Sequence, residues 1–88
     1  MGDMAFYAWQ GGLAIGRIEL LASVTCQDVH NAIAYVAASR ILRTRARDHE
    51  VEFTGETRIV VLDEIQESLV WCDGEGGHVT VLKPWSQL

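Results

Sequence analysis

Apolar and polar positions alternate from the start of the chain. In "MAFYAW", Met4, Phe6 and Ala8 fall on one face of an extended segment, and Ala5, Tyr7 and Trp9 on the other. That period of two, with aromatics on both faces, predicts a strand. "QGG" at 10–12 predicts a turn, and "LAIGRIELL" predicts the returning strand. The return changes phase: Leu13 and Ile15 lie on one face, Ile18 and Leu20 on the other. Gly16 stands at the switch and predicts a β-bulge there.

The period then lengthens. "SVTCQDVHNAIAYVAASRIL" places Val29, Ala32, Ile33, Val36 and Ala37 in one stripe at helical spacing. Thr25 suits an N-cap, Asp28 suits the first turn, and alanine is frequent. A helix over about 26–40 is predicted. Extended further, it would centre Arg40 on the stripe and leave Ile41 and Leu42 off it. The helix therefore either loosens near Ser39 or is covered on both sides by a partner or a second copy.

The remainder reads as strands. "EVEF" and "TRIVVLDE" flank "TGE" as a tight hairpin, and "ESLVWCD" and "HVTVLK" flank "GEGG" as another. Leu69 and Trp71 share a face, as do Val79 and Val81, which sets Trp71 to pack across strands. "PWSQL" is a tail whose Trp85 folds back. The order β-β-α-β-β-β-β predicts an α+β fold of two layers, with one helix packed on a curved antiparallel sheet.

Composition bounds this picture. Eighty-eight residues make a single small domain, 1–88, able to bury roughly 60–65% of its unfolded surface. With 49% apolar and 22% charged residues, disorder is excluded. No apolar run approaches the ~20 residues that span a bilayer, and "MGDMAF" lacks the basic and apolar regions of an export signal. Two cysteines, Cys26 and Cys72, are too few for a disulfide scaffold. Reduced thiols in the cytoplasm are the expectation.

Charge raises the functional question. The chain has twelve Asp and Glu against seven Lys and Arg, yet Arg40, Arg43, Arg45 and Arg47 crowd into "RILRTRAR". Cations in and beyond a last helical turn complement its dipole. An arginine cluster beside Ile41 and Leu42 also has the composition of an interface core. If the segment is extended, Arg43, Arg45 and Arg47 make a stripe for phosphates or an acidic partner. The net charge of −5 argues against direct nucleic-acid binding.

Candidate chemistry is thin. Cys26 and His30 are four apart at the predicted helix start and share a face, and Cys72 and His78 flank "DGEGG". Together they form a Cys2His2 zinc set, without any recognised spacing. Cys26 with His30 could also form a thiol–base pair, although no orienting third group accompanies it. "DGEGG" lacks the lysine and the following helix of a phosphate loop, and reads as a hairpin turn. Glu64 and Glu67 have no partner acid or sugar platform. No cofactor or metal is expected. Trp9, at the hairpin tip, and Trp85 are expected to be exposed anchors.

The helix "SVTCQDVHNAIAYVAAS", followed by "ETRIVVLDE" and "SLVWCDGEGG", resembles the layout of small phage-encoded inhibitors of CRISPR–Cas systems, the anti-CRISPR proteins. The resemblance implies a single cofactor-free domain that occupies a protein surface. It carries over no functional residue. The expected function is non-catalytic binding of a partner protein in the cytoplasm. Asp63, Glu64 and Glu67 would meet a basic surface that otherwise holds nucleic acid. The run from Arg40 to Arg47 would form a second contact or a homodimer contact. A thiol or zinc enzyme at Cys26 and His30, and a nucleic-acid binder using Arg40–Arg47, are the alternatives.

Overall fold

The computed structural model describes residues 2–84, apart from the side chains of Cys26 and Glu75. It corrects the expected α+β class: the described residues form seven strands and no α-helix. These are β1 (Met4–Trp9), β2 (Gly12–Cys26), β3 (Val29–Thr44), β4 (Asp48–Val61), β5 (Ile65–Leu69), β6 (Trp71–Asp73) and β7 (Val79–Leu82). They make one antiparallel sheet in the order β5-β1-β2-β3-β4-β7-β6. The edge strands β5 and β6 are consecutive in the chain, with Val70 alone between them. Leu69 pairs with Met4, Trp71 pairs with Val81, and Leu82 N donates to Val70 O at 2.8 Å. The sheet therefore curls into a half-barrel whose edges meet at Val70.

The predicted helix is the strand β3. Its burial alternates with a period of two, with Ala34, Val36 and Ala38 buried between half-buried neighbours. The turn before it consists of Gln27 and Asp28, both at positive φ (48° and 66°), between the paired residues Cys26 and Val29. Two left-handed residues joining paired strands make the hairpin turn that matches sheet twist. Asn-Gly normally announces this turn, and here Gln-Asp takes its place. Thr25 is thus no N-cap: its hydroxyl lies 2.9 Å from His30 Nδ1 across the hairpin.

Two further expectations shift. "TGE" is a bulge inside the continuous strand β4, because Phe53 pairs with Ser39 and Thr57 with Ala37, leaving residues 54–56 opposite Ala38 alone. Gly55 takes φ 85° there, and Thr54 Oγ1 donates to Ala38 O at 3.4 Å. Such hydrogen bonding compensates the interrupted ladder. The bulge expected at Gly16 lies instead at Glu19, where the β2–β3 register shifts between Ile18 and Leu20. Gly16 serves a different need: a Cβ there would stand 2.4 Å from Val36 Cγ1 and 2.8 Å from Ala37 O.

The core has two parts. Met4, Phe6, Ile15, Val51, Leu69, Val79 and Val81 fill the inside of the curl, with Phe53 against them. Tyr7, Ala34, Val36 and Val60 form the second part, flanked by Trp9, Ala14, Ile18 and Ile65. Phe6 and Tyr7 are neighbours on opposite faces of β1, so β1 is buried on both sides. Ser39 Oγ donates to Ile15 O at 2.6 Å between the parts. The molecule measures 46 × 27 × 22 Å, and much of its length is the long hairpin β2–β3.

Candidate protein-binding surface

The arginine run folds against its own counter-charges. It occupies the β3–β4 hairpin, and "DHEVE" returns beside it. Arg40 pairs with Glu52. Arg45 Nη1 donates to Asp48 Oδ1 at 2.8 Å, and its Nη2 reaches Glu50 Oε1 at 3.4 Å. Arg43 stands opposite Glu50 in the register. Three of the four arginines, Arg40, Arg43 and Arg45, thus stand beside carboxylates, and the cationic stripe suggested by the sequence is interrupted by Asp48, Glu50 and Glu52. The Arg45 pKa is raised, chiefly by the bond to Asp48. Exposed pairs of this kind contribute little individually to stability, because water and salt screen them. Their effect is to neutralise the patch that appears so basic in the sequence. Ile41 and Leu42 beside it are exposed.

A groove of about 610 Å³ runs from this hairpin to the β6–β7 turn, between Arg43 and Arg45 on one side and Gly74, Gly76, His78 and Thr80 on the other. Glu50 lines it as well, 3.8 Å from His78 Nδ1, and Glu52 lies 3.6 Å from His78 Nε2. Both signs of charge therefore share the groove.

His49 makes the β3–β4 hairpin pH-sensitive. Its Nδ1 lies 3.0 Å from Thr44 Oγ1. Burial holds its pKa below the ordinary 6.5; the Lys83 cation acts in the same direction and Asp48 opposes. The unfolded chain consequently binds a proton here before the folded chain does. Stability contributed by the neutral ring is complete above about pH 6.5 and is lost as pH falls through the lower folded value. Thermal melts between pH 7.5 and 5 should decline less steeply for His49→Gln than for the parent. Parallel curves would show that His49 titrates alike in both states.

The other sequence candidates do not converge. Cys26 and His30 lie at the tip of the β2–β3 hairpin, on strands and not on a helix. Cys72 and His78 lie by the β6–β7 turn, on elements that are not neighbours of that tip in the sheet. Cys72 is a free, exposed thiol. Among the described residues, no group of three or more His, Cys, Asp or Glu is placed to hold a metal. Asp63 and Glu64 are exposed in a short 3-10 turn, and Glu67 is exposed on β5. Trp9 is half-buried, with its ring 6.3 Å from Tyr7 in a T-shaped contact and 4.6 Å from the Arg58 guanidinium. It is a flank of the core, not the exposed tip anchor expected. Trp85 lies outside the described residues.

The surface that sequence reasoning missed is the long arm. Beyond the Glu19 bulge, β2, β3 and the end of β4 build two apolar cross-strand rows. Leu20, Tyr35 and Ile59 form one, and Ala22, Ile33 and Val61 form the next. Leu20, Ile59 and Val61 are 56%, 59% and 46% exposed. Val24 and Val29 prolong the same face and are exposed too. By alternation along β3 this is the face of Ser39, so it continues outward from the side lining the inner core. Leu21, Ala22, Ser23, Ala32, Ile33 and Leu62 border a shallow groove of about 260 Å³ on the same arm. Large aliphatics grouped in register on one exposed face have the composition of an interaction surface; Leu13, Ile41, Leu42 and Val70 are exposed elsewhere on the molecule. The signal was present in "RIVV" and "IELL", once these are read as strands in register.

No family model, curated protein or solved structure matches this chain. Among the described residues, no helix is long and apolar enough to cross a membrane.

Proposed function

We propose that this protein is a non-catalytic binding domain that occupies the surface of a partner protein through the apolar face of its arm. The observation that carries this reading is the pair of rows Leu20–Tyr35–Ile59 and Ala22–Ile33–Val61, in which Leu20, Ile59 and Val61 are exposed and the other three half-buried. A three-stranded apolar face suits an apolar protein surface, not a small polar substrate. Occupation of a protein surface is also what the resemblance to phage-encoded inhibitors implies, although the helix in that outline is a strand. The internal pairing of the arginine run with Asp48, Glu50 and Glu52 favours a protein partner over nucleic acid. The exposed thiol of Cys72 fits a reducing compartment such as the cytoplasm.

Replacing Ile59 and Val61 together by threonine tests the reading. Threonine keeps the strand preference, and both sites are about half exposed, so the melting temperature should fall by only a few degrees. Affinity for the partner should fall by more than about tenfold, because central apolar anchors commonly cost 2 kcal/mol or more. The comparison is capture from the host extract by the parent, by this variant and by a variant with Arg43, Arg45 and Arg47 changed to serine. A partner lost from the arginine variant and kept by the arm variant would move the contact to the β3–β4 hairpin and overturn the reading.

A further inference from the structure

The arm presents a second, different feature: its backbone edge. β1 covers β2 only from Gly12 to Arg17, and Ile18 N donates to Asp3 O at 2.8 Å. From Glu19 to Cys26 the side of β2 away from β3 has no strand beside it among the described residues. Alternate N–H and C=O groups along such an edge point outward without a ladder partner. Natural edges of this length usually carry lysine, proline or a bulge to prevent pairing. "LLASVTC", residues 20–26, contains none of these and no charge. The bulge of β2, at Glu19, stands at the start of the open stretch and leaves residues 20–26 regular. The other two edge strands, β5 and β6, lead into each other at Val70.

We infer that residues 20–26 of β2 are a strand-addition site, and that its occupant is the same segment of a second copy. This rests on the exposed arm described under the proposed function, but concerns its edge and not its face. Three observations select a second copy. First, an antiparallel pair can be formed by one segment with itself about a twofold axis. Centred on Ser23, this places Leu20 against Cys26 of the other copy and Ala22 against Val24, keeping every residue on its own face. Secondly, each chain carries a net −5, so copies repel at most approaches, and the uncharged edge is where they meet with least repulsion. Thirdly, β4 ends at Val61, opposite Ile33, so residues 23–32 form a two-stranded ribbon alone. Such a ribbon is marginal in water, and a third strand supplies what it lacks. Pairing would also join the two apolar faces into one continuous surface.

The test is sedimentation velocity at high micromolar concentration on the parent, on Ser23→Lys and on His30→Lys. The parent should sediment as a dimer, twice the 9.8 kDa of one chain. Ser23→Lys places like charges opposite each other at the twofold and should raise the dissociation constant by more than about tenfold. His30→Lys adds the same charge on β3, the other side of the ribbon, and should leave the dimer unchanged. Hydrogen exchange on the same samples should show alternate amides of residues 20–26 protected in the parent and unprotected in Ser23→Lys. It also reports whether the variant stays folded. A monomeric parent, or a dimer that survives Ser23→Lys with those amides unprotected, overturns the inference. A monomer that still captures its partner leaves the binding function standing. A dimer that captures nothing removes the function and leaves the edge pairing.

Discussion

Replacing Tyr7 by alanine is expected to lower the melting temperature by roughly 12–40 °C, the equivalent of about 3–5 kcal/mol in a domain of this size. Tyr7 is the largest fully buried side chain, 1% exposed, and the centre of the second core with Ala34, Val36 and Val60. Its neighbours on β3 are alanines and a valine held in a sheet, so they cannot collapse into the space left. The hydroxyl also accepts a hydrogen bond from Arg58 Nη1 at 3.0 Å. That cation is held over Trp9, and its Nε is buried without a hydrogen-bond partner, Glu56 Oε1 being 3.5 Å away. The Arg58 pKa is raised: burial opposes this, and the hydrogen bond to Tyr7 and the nearby Glu56 carboxylate outweigh it. Tyr7→Phe separates the parts. It keeps the ring and removes only a hydrogen bond to a charged group, about 1.5–3 kcal/mol at most. Total stability for 88 residues is about 4–13 kcal/mol, so Tyr7→Ala uses much of it. Alanine and phenylalanine variants melting together, within a few degrees of the parent, would show that the second core does not support the fold.

Gly16→Ala should be the most damaging small substitution in the chain, costing about 1–3 kcal/mol or more. Gly16 lies between Ala5 on β1 and Ala38 on β3. The added methyl would meet Val36 Cγ1 at 2.4 Å, Ala37 O at 2.8 Å and Tyr7 Cε1 at 3.0 Å. Neither the valine nor the carbonyl can yield easily: one is stiff at χ1 and the other belongs to the ladder. Val36→Ala in the same chain removes one of the three collisions and leaves the carbonyl. The double variant should therefore be more stable than the sum of the single losses predicts, by about 0.5–3 kcal/mol in a double-mutant cycle measured by urea unfolding. Strict additivity would mean that Val36 does not press on Gly16. A neutral Gly16→Ala would mean that the strands lie further apart than the structure has them.

The sequence by itself determined the first hairpin, where the alternation of Met4 to Trp9 and the Gln10–Gly11 turn admit one reading. It also determined the excess of acidic charge and half of the last hairpin: of the single strand "ESLVWCD" expected to pair with "HVTVLK", only Trp71–Asp73 pairs with β7, while Ile65–Leu69 is a separate strand beside β1. It placed Arg40 to Arg47 next to Asp48, Glu50 and Glu52, so their mutual neutralisation was legible once both segments are strands. The class of the fold was not. In residues 29–40, alanines at 32, 34, 37 and 38 count as apolar on any side, so periods of 2 and 3.6 fit equally well. Thr25 and Asp28 imitate a helix start, and the Gln27–Asp28 turn lacks glycine. Only the tertiary structure decided between them. Helix propensity differs by a few tenths of a kcal/mol per residue. As a strand, β3 has a hydrogen-bonding neighbour on both sides along the middle of its length, and Ala34, Val36 and Ala38 are buried beside Gly16 and Tyr7, where only small or flat side chains fit. The same long-range contacts make "TGE" a bulge, since β3 continues past it. They also expose Leu20, Ile59 and Val61, because the three strands carrying them extend beyond the curl. A local pattern marks which side chains are apolar; the register and curl of the sheet decide which of them are covered.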